Sequence, residues 1–130
     1  MSRGKFANTI KGEKMRLVLL FAIVGIIGGC AKSSPILKAT ESASNFDDAV
    51  YSGSETVLSE TPEGVTEYRI FHQGATGFVS VQSLRDSVEN RAWKFCDEKG
   101  GKLLRLREHT SNPPHVAGNF PRLELIFGCI

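Results

Sequence analysis

The side chains with the widest chemical repertoire in this 130-residue chain are three cysteines and three histidines. The cysteines are Cys30, Cys96 and Cys129, and no two of them form the Cys-x-x-Cys pair of redox centres. The histidines, at positions 72, 109 and 115, form no His-x-x-x-His or His-Glu-x-x-His pair, so the sequence has no local zinc signature. We therefore predict no metal and no cofactor, with three histidines clustered in space as the alternative.

Cys30 follows a pattern typical of an export signal. Arg16 precedes an 11-residue stretch, Leu17 to Ile27, without a charged or polar side chain, and Gly28-Gly29-Cys30 comes next. A basic stretch, an apolar stretch of about 7–15 residues and small residues at a cleavage point define a secretory signal peptide. The junction resembles the lipobox of bacterial lipoproteins, in which the signal is cut before the cysteine and the thiol is lipidated. The resemblance implies that residues 1–29 are a cleaved signal peptide and that Cys30 is the acylated first residue.

Two other interpretations of the apolar stretch fit its length and flanks less well. A transmembrane helix needs roughly 20 apolar residues, against 11 here. A buried core helix is disfavoured by the three basic residues before the stretch and the glycine pair after it. Removal of residues 1–29 leaves 11 basic and 13 acidic residues, a net charge of −2. No basic stripe with interleaved aromatic residues remains, so nucleic acid is not an expected partner.

Residues 30–64 differ in composition from the rest of the chain. From Ala31 to Gly64 there are ten Ser or Thr, six acidic and two basic residues, with only scattered apolar ones. Such a segment buries too little apolar surface to offset chain entropy, so we predict a flexible tether behind the lipid. As a random coil it would reach about 30–35 Å. A short strand around Ala49–Leu58 is the alternative.

Residues 65–130 are predicted to form a compact α+β domain in the order β-α-β-β, with one helix packed on an antiparallel sheet. Alternation predicts strands over Thr66–His72, Lys102–Glu108 and Arg122–Ile130. Ser83 is the expected N-cap, with Asp86 three residues later, close to a capping box. Gly100-Gly101 is expected to end the helix. Its apolar stripe at helical spacing is Leu84, Val88, Ala92, Phe95 and Cys96.

The same periodicity predicts a disulfide. Cys96 belongs to the helix stripe and Cys129 to the inward face of the last strand, so both point into one core. A Cys96–Cys129 disulfide closing about 33 residues would stabilise the fold by roughly 3–4 kcal/mol in an oxidising compartment. Two buried free thiols are the alternative. With Cys30 acylated and the other two paired, no thiol nucleophile is left, and we do not expect an enzyme.

The segment Thr110–Pro121 is the part least explained by folding. It joins two strands through twelve residues, and it contains Pro113-Pro114, His115 and the apolar Phe120. Long loops stiffened in this way on small scaffolds often bind partners. The alternative is that Phe120 caps the core and the prolines only limit loop entropy. Trp93, beside the helix stripe, is a second candidate contact.

From Tyr68 onward the sequence resembles a group of small, uncharacterised proteobacterial lipoproteins. The matching residues include Gly77-Phe78-Val79, Phe95-Cys96, and Thr110-Ser111 through Pro113-Pro114 to Gly118-Asn119-Phe120-Pro121-Arg122, ending at Cys129. The resemblance implies a lipid-anchored periplasmic module and carries over no catalytic residue. Ala31 after the cysteine is the pattern that, in enteric-type lipoproteins, implies the outer membrane.

Two functions follow as hypotheses. The first is a non-catalytic interaction module, held at the membrane by N-terminal acyl chains, with an envelope protein or peptidoglycan as its partner. The second is a binder of a small molecule or metal in a cleft between helix and loop, with His109, His115 and Phe120 as contacts.

Overall fold

The computed structural model describes residues 31–130. The predicted signal peptide and the acylation site Cys30 lie outside the described residues. Within 31–130 the elements are β1 (Lys32–Ser33), β2 (Leu37–Lys38), a 3₁₀ helix (Ala39–Glu41), β3 (Gly53–Val57), β4 (Tyr68–Gln73), α1 (Val81–Glu98), β5 (Leu103–Ser111) and β6 (Arg122–Cys129). The strands form one antiparallel sheet in the order β1-β4-β6-β5-β3, and β2 also pairs with β4. An α+β fold with one helix on an antiparallel sheet is therefore confirmed.

Helix α1 begins earlier than the sequence predicted. Its N-cap is Ser80, whose hydroxyl accepts a hydrogen bond from the backbone N–H of Ser83 at 3.0 Å. Ser83, the predicted cap, lies instead in the first turn as the donor. Asp86 accepts from the Gln82 side chain and takes no part in capping. Ser80 is the better cap because its extended backbone sets it just outside the first turn.

The apolar stripe of α1 packs on one face of the sheet as predicted. Its buried residues are Leu84, Val88, Ala92 and Cys96, and the sheet supplies Ile70, Leu123, Leu125 and Phe127. The predicted disulfide joins Cys96 to Cys129, with a Cα–Cα distance of 5.2 Å. It fastens the end of the helix to the end of the central strand β6. This layer is the hydrophobic core of the described residues.

The second face of the sheet is covered by the segment between β2 and β3, and β3 itself joins the sheet, which corrects the prediction of a flexible tether over residues 30–64. Phe46 of this segment is only 8% exposed. Its ring stacks on His109 with the ring centroids 3.9 Å apart and meets Phe71 edge-on at 6.3 Å. The guanidinium of Arg122 lies 4.8 Å from the same ring centroid. The Phe46 ring thus contacts side chains of three strands on this face.

Polar contacts hold the rest of the covering segment. Glu124, on β6, is 3% exposed. Its carboxylate accepts hydrogen bonds from the Ser44 hydroxyl at 2.7 Å and from the Asn45 backbone N–H at 2.8 Å, and pairs with Arg69 at 3.3 Å. The tether prediction counted apolar residues only. It failed because the face to be covered is itself polar, so serine and asparagine are suitable partners for it.

Strand β3 lies within the range of the alternative that the sequence left open for Ala49–Leu58. It pairs with the whole outer half of β5, from Gly53 with Ser111 to Val57 with Arg107. Gly53 is required there because a Cβ would lie 2.4 Å from the Thr110 carbonyl oxygen and 2.6 Å from the Phe46 ring. The pairing extends β5 to Ser111, three residues beyond the predicted end at Glu108.

Candidate interaction surface

One end of the sheet is formed by three connecting segments. The register pairs Lys32 with Gln73, Gln73 with Arg122, and Gly53 with Ser111, so these five residues lie in one row across the sheet. Three segments extend beyond this row: residues 49–52 before β3, 74–80 after β4, and 112–121 between β5 and β6. We call these three segments the loop end. Ala31, which precedes β1, leaves the sheet at the same end.

The longest segment, residues 112–121, is closed by hydrogen bonds from its own side chains. Asn119, which is 7% exposed, donates through Nδ2 to the carbonyl oxygens of Asn112 at 2.9 Å and Pro114 at 2.8 Å. The Ser111 hydroxyl accepts from the backbone N–H of Arg122 at 2.9 Å and lies 2.9 Å from His115 Nε2. These bonds tie the start, middle and end of the segment together. The loop is therefore built into the fold and is not a loose connection.

The other two segments brace this loop from both sides. The Tyr51 hydroxyl donates to the Ala117 carbonyl at 2.8 Å. On the other side, the backbone at Gly77 approaches His115 so closely that a Cβ would lie 2.2 Å from its carbonyl oxygen. Only glycine permits that approach. The three segments consequently form one continuous surface.

The loop end presents apolar side chains to solvent. Phe78 is fully exposed, Val50 is 92% exposed and Val116 63%, and Tyr51 and Phe120 are partly exposed. None of the three segments contains Asp, Glu, Lys or Arg, although such residues make up 23% of the chain. Few strongly hydrated groups would have to be stripped of water when this surface is covered. Contiguous exposed apolar surface of this kind is typical of an interaction site.

Below the loop end, Arg122 links the surface to the covered face of the sheet. Its guanidinium donates to the Tyr51 carbonyl oxygen at 2.8 Å while lying against the Phe46 ring. Burial lowers the pKa of Arg122 from its ordinary value. The side chain thereby fixes the 49–52 segment to the sheet from beneath.

Of the four candidate contacts predicted from the sequence, two lie in the loop end and two do not. Phe120 is on its surface, and His115 turns one ring nitrogen toward Ser111 and so helps to close the loop. Trp93 is 54% exposed but lies on α1, twelve residues after the helix begins. His109, proposed for a ligand cleft, packs flat against Phe46.

Val50, Tyr51 and Phe78 were not predicted from the sequence as surface contacts. The first two lie inside the segment predicted to be a tether. Phe78 follows Gly77 in the turn between β4 and α1. An aromatic residue directly after a glycine-rich turn was the available signal, because a turn leaves little structure to bury it.

Among residues 31–130, no group of three or more His, Cys, Asp or Glu side chains is placed to hold a metal ion. A shallow cavity of about 250 Å³ lies beside the covering segment, with Ser34, Asn45 and Arg69 in its lining. The part of the chain that the structure describes has no helix with the length and hydropathy needed to cross a membrane. Comparison with known protein families, curated proteins and solved structures found no match.

Proposed function

We propose that this chain is a lipid-anchored protein of the cell envelope that acts as a non-catalytic interaction module, anchored in the outer membrane and facing the periplasm. The proposal places it with the small proteobacterial lipoproteins that its sequence resembles. The observation that carries the interaction role is the loop end, a braced surface that exposes apolar side chains and contains no charged residue. The lipid anchor rests on the signal pattern that ends at Cys30.

The internal contacts of the loop support a structural role for its polar groups. A serine hydroxyl beside a histidine nitrogen is an arrangement that nucleophilic enzymes use. Here, however, Ser111 is 4% exposed and its oxygen already accepts the Arg122 backbone N–H. A substrate would have no route to that oxygen without opening the loop. The Ser111–His115 contact is better explained as part of loop closure.

The anchor is tested by replacing the acylation site. Cys30→Ala should abolish acylation, measured by mass spectrometry of the mature N-terminus, and leave the precursor unprocessed or release the protein from membranes. Gly28→Ala is the matched control, because alanine is the more usual residue at that lipobox position and processing should be retained. A Cys30→Ala chain that is still cleaved and membrane-bound would disprove the anchor.

The interaction surface is tested by photo-crosslinking in cells. A photoreactive residue at Phe120 should give a discrete adduct, with a protein, peptidoglycan or lipid, while one at Lys94, on the exposed side of α1, should give none. Lys94 is exposed on the helix and lies outside the loop end, so it reports labelling that is not specific to that surface. Equal labelling at both positions, or labelling at neither, would contradict a contact surface at the loop end.

A second candidate function is the binding of a small anionic molecule in the cavity lined by Ser34, Asn45 and Arg69. The observation that favours it is the Arg69 guanidinium in the cavity lining, which pairs with Glu124 through one terminal nitrogen while its buried Nε has no hydrogen-bond partner within residues 31–130. A ligand of the native state raises the melting temperature as its concentration increases. Titration with small carboxylates and phosphates that leaves the melting temperature unchanged would reject this function.

A further inference from the structure

We propose that the loop end lies on the lipid bilayer that holds Cys30, with Phe78, Val50 and Val116 in the headgroup region. The inference rests on the proposed acylation of Cys30 and names lipid as the partner of the interaction surface. Three features in juxtaposition carry it: the exit of Ala31 from the sheet toward the proposed acylation site, the apolar loop end on the same side, and the short covalent distance between Cys30 and Lys32.

The distance follows from the start of the fold. Lys32 already pairs with Gln73 in the row from which the loop end extends. Two residues of fully extended chain span at most about 7 Å. The Cα atom of Cys30 would therefore lie within that distance of Lys32, on the side where the three segments project. A tether with a reach of 30–35 Å is not formed, because residues 32–33, 37–38 and 53–57 are strands of the sheet and Phe46 is buried against it.

The same distance favours lipid over a protein as the occupant. A single α-helix with its side chains is about 10 Å across, which exceeds the span of two residues. The three segments already project beyond Lys32 on that side, so little room is left for a folded partner between the loop end and the membrane while β1 stays in the sheet. The bilayer surface is the partner that the anchor itself brings into contact.

The composition of the loop end suits the headgroup region. Aromatic residues with one polar and one apolar part collect at membrane interfaces, and Tyr51 is such a residue, while Phe78 and Phe120 add exposed apolar rings to the same loop end. Lys32, exposed at the end of the row, can approach anionic headgroups. The exposed residues of α1, by contrast, include Asp86, Lys94, Asp97 and Glu98. A side-on orientation would remove these charges from water, so the end-on orientation is favoured.

The test uses the acylated chain in vesicles of phosphatidylethanolamine and phosphatidylglycerol whose acyl chains carry bromine, a short-range quencher of tryptophan. The wild-type chain has one tryptophan, Trp93. The variant F78W/W93F moves that single reporter to a fully exposed position of the loop end, where a larger ring cannot disturb packing. Unbrominated vesicles of the same composition provide the reference intensity.

Tryptophan at position 78 should lose most of its emission and shift to shorter wavelength, while Trp93, about 18 Å along the helix axis from its start, should lose little. Equal quenching at both positions would overturn the end-on orientation. No quenching at position 78, in protein that is acylated and floats with the vesicles, would overturn the lipid contact and leave the anchor intact. Absence of acylation and of flotation would overturn both proposals. A discrete protein adduct from a photoreactive residue at Phe78 in cells would support the interaction module but refute lipid as its partner.

Discussion

Replacing Phe46 with alanine tests whether residues 34–64 are part of the folded domain. The ring is 8% exposed, stacked on His109, edge-on to Phe71 and covered by the Arg122 guanidinium. Buried Phe→Ala changes cost about 3–5 kcal/mol, and the polar surroundings favour the lower end because water can enter part of the space. We expect a loss near 3 kcal/mol in the free energy of unfolding. That is a large part of the total stability of a small domain, about 5–15 kcal/mol.

The assay is urea unfolding of residues 31–130 with the disulfide intact, followed by circular dichroism. Val50→Ala is the matched control from the same segment, and because Val50 is 92% exposed its effect should stay within about 0.5 kcal/mol. Hydrogen exchange gives a local reading, since the Asn45 amide, bonded to Glu124 at 2.8 Å, should lose protection in Phe46→Ala. A cost below about 1 kcal/mol, with the exchange rate of that amide unchanged, would refute the covering role and restore the tether interpretation.

Three further results are expected. Replacing both cysteines of the disulfide with alanine should cost roughly 3–4 kcal/mol in urea unfolding, because the bond closes a 33-residue separation; a cost under about 1 kcal/mol would refute this. Arg69→Met should lower the free energy of unfolding by about 3 kcal/mol, because it leaves the buried Glu124 carboxylate without its cation. Lys38→Met, in the Lys38–Glu41 pair that is more than half exposed, should lower it by at most about 0.3 kcal/mol. Equal losses would contradict the argument from burial. Burial, and secondarily the charge of Arg91, lowers the pKa of His72 below its ordinary value of 6.5, so the unfolded chain binds the proton more readily. The free energy of unfolding is therefore not reduced by His72 above pH 6.5, and it falls as the pH drops through and below that value. His72→Gln should lose less of this free energy between pH 7.5 and pH 5.5 than the wild type. An equal loss would show that other groups cause the pH dependence.

The helix layer could be predicted because its information is local. Leu84, Val88 and Ala92 repeat at helical spacing, while Leu123 and Leu125 repeat at strand spacing, so each set defines one face. The apolar face of the helix and the apolar face of the strand are buried when they pack against each other. That argument places Cys96 opposite Cys129 without any knowledge of the loops, and the disulfide follows from it.

The second layer could not be predicted in the same way. Its central contact joins Ser44 to Glu124 across 80 residues, and neither position stands out in a local pattern. Glu124 lies between leucines in an alternating strand, which predicts an exposed carboxylate. Ser44 lies in a stretch whose composition is typical of disordered chains. Burial of Glu124 depends on its hydrogen bond with Ser44, which no local sequence pattern predicts.

Only part of the loop end could be predicted, for a related reason. Phe120 and His115 could be predicted as contacts because they lie in a long, proline-rich connection between two strands. Tyr51 contributes as much to the surface, through its bond to Ala117 and through the Arg122 contact with its carbonyl, but its segment was assigned to the tether. Because the second layer was not predicted, the contribution of residues 49–52 to the loop end was not predicted either.

The polar covering layer limits how far the domain can lie from its proposed membrane anchor. Ordering residues 32–57 costs conformational entropy, which burial of Phe46 and partial burial of Ile36 offset in part. The hydrogen bonds to Glu124 and the pairing of β3 with β5 contribute further. Because these contacts hold the segment against the sheet, it cannot extend the domain away from the membrane as a free tether would. Because β1 starts two residues after Cys30, an acylated protein with this fold is held against the membrane surface, and the side of the fold that meets the bilayer is set by the direction in which β1 enters the sheet.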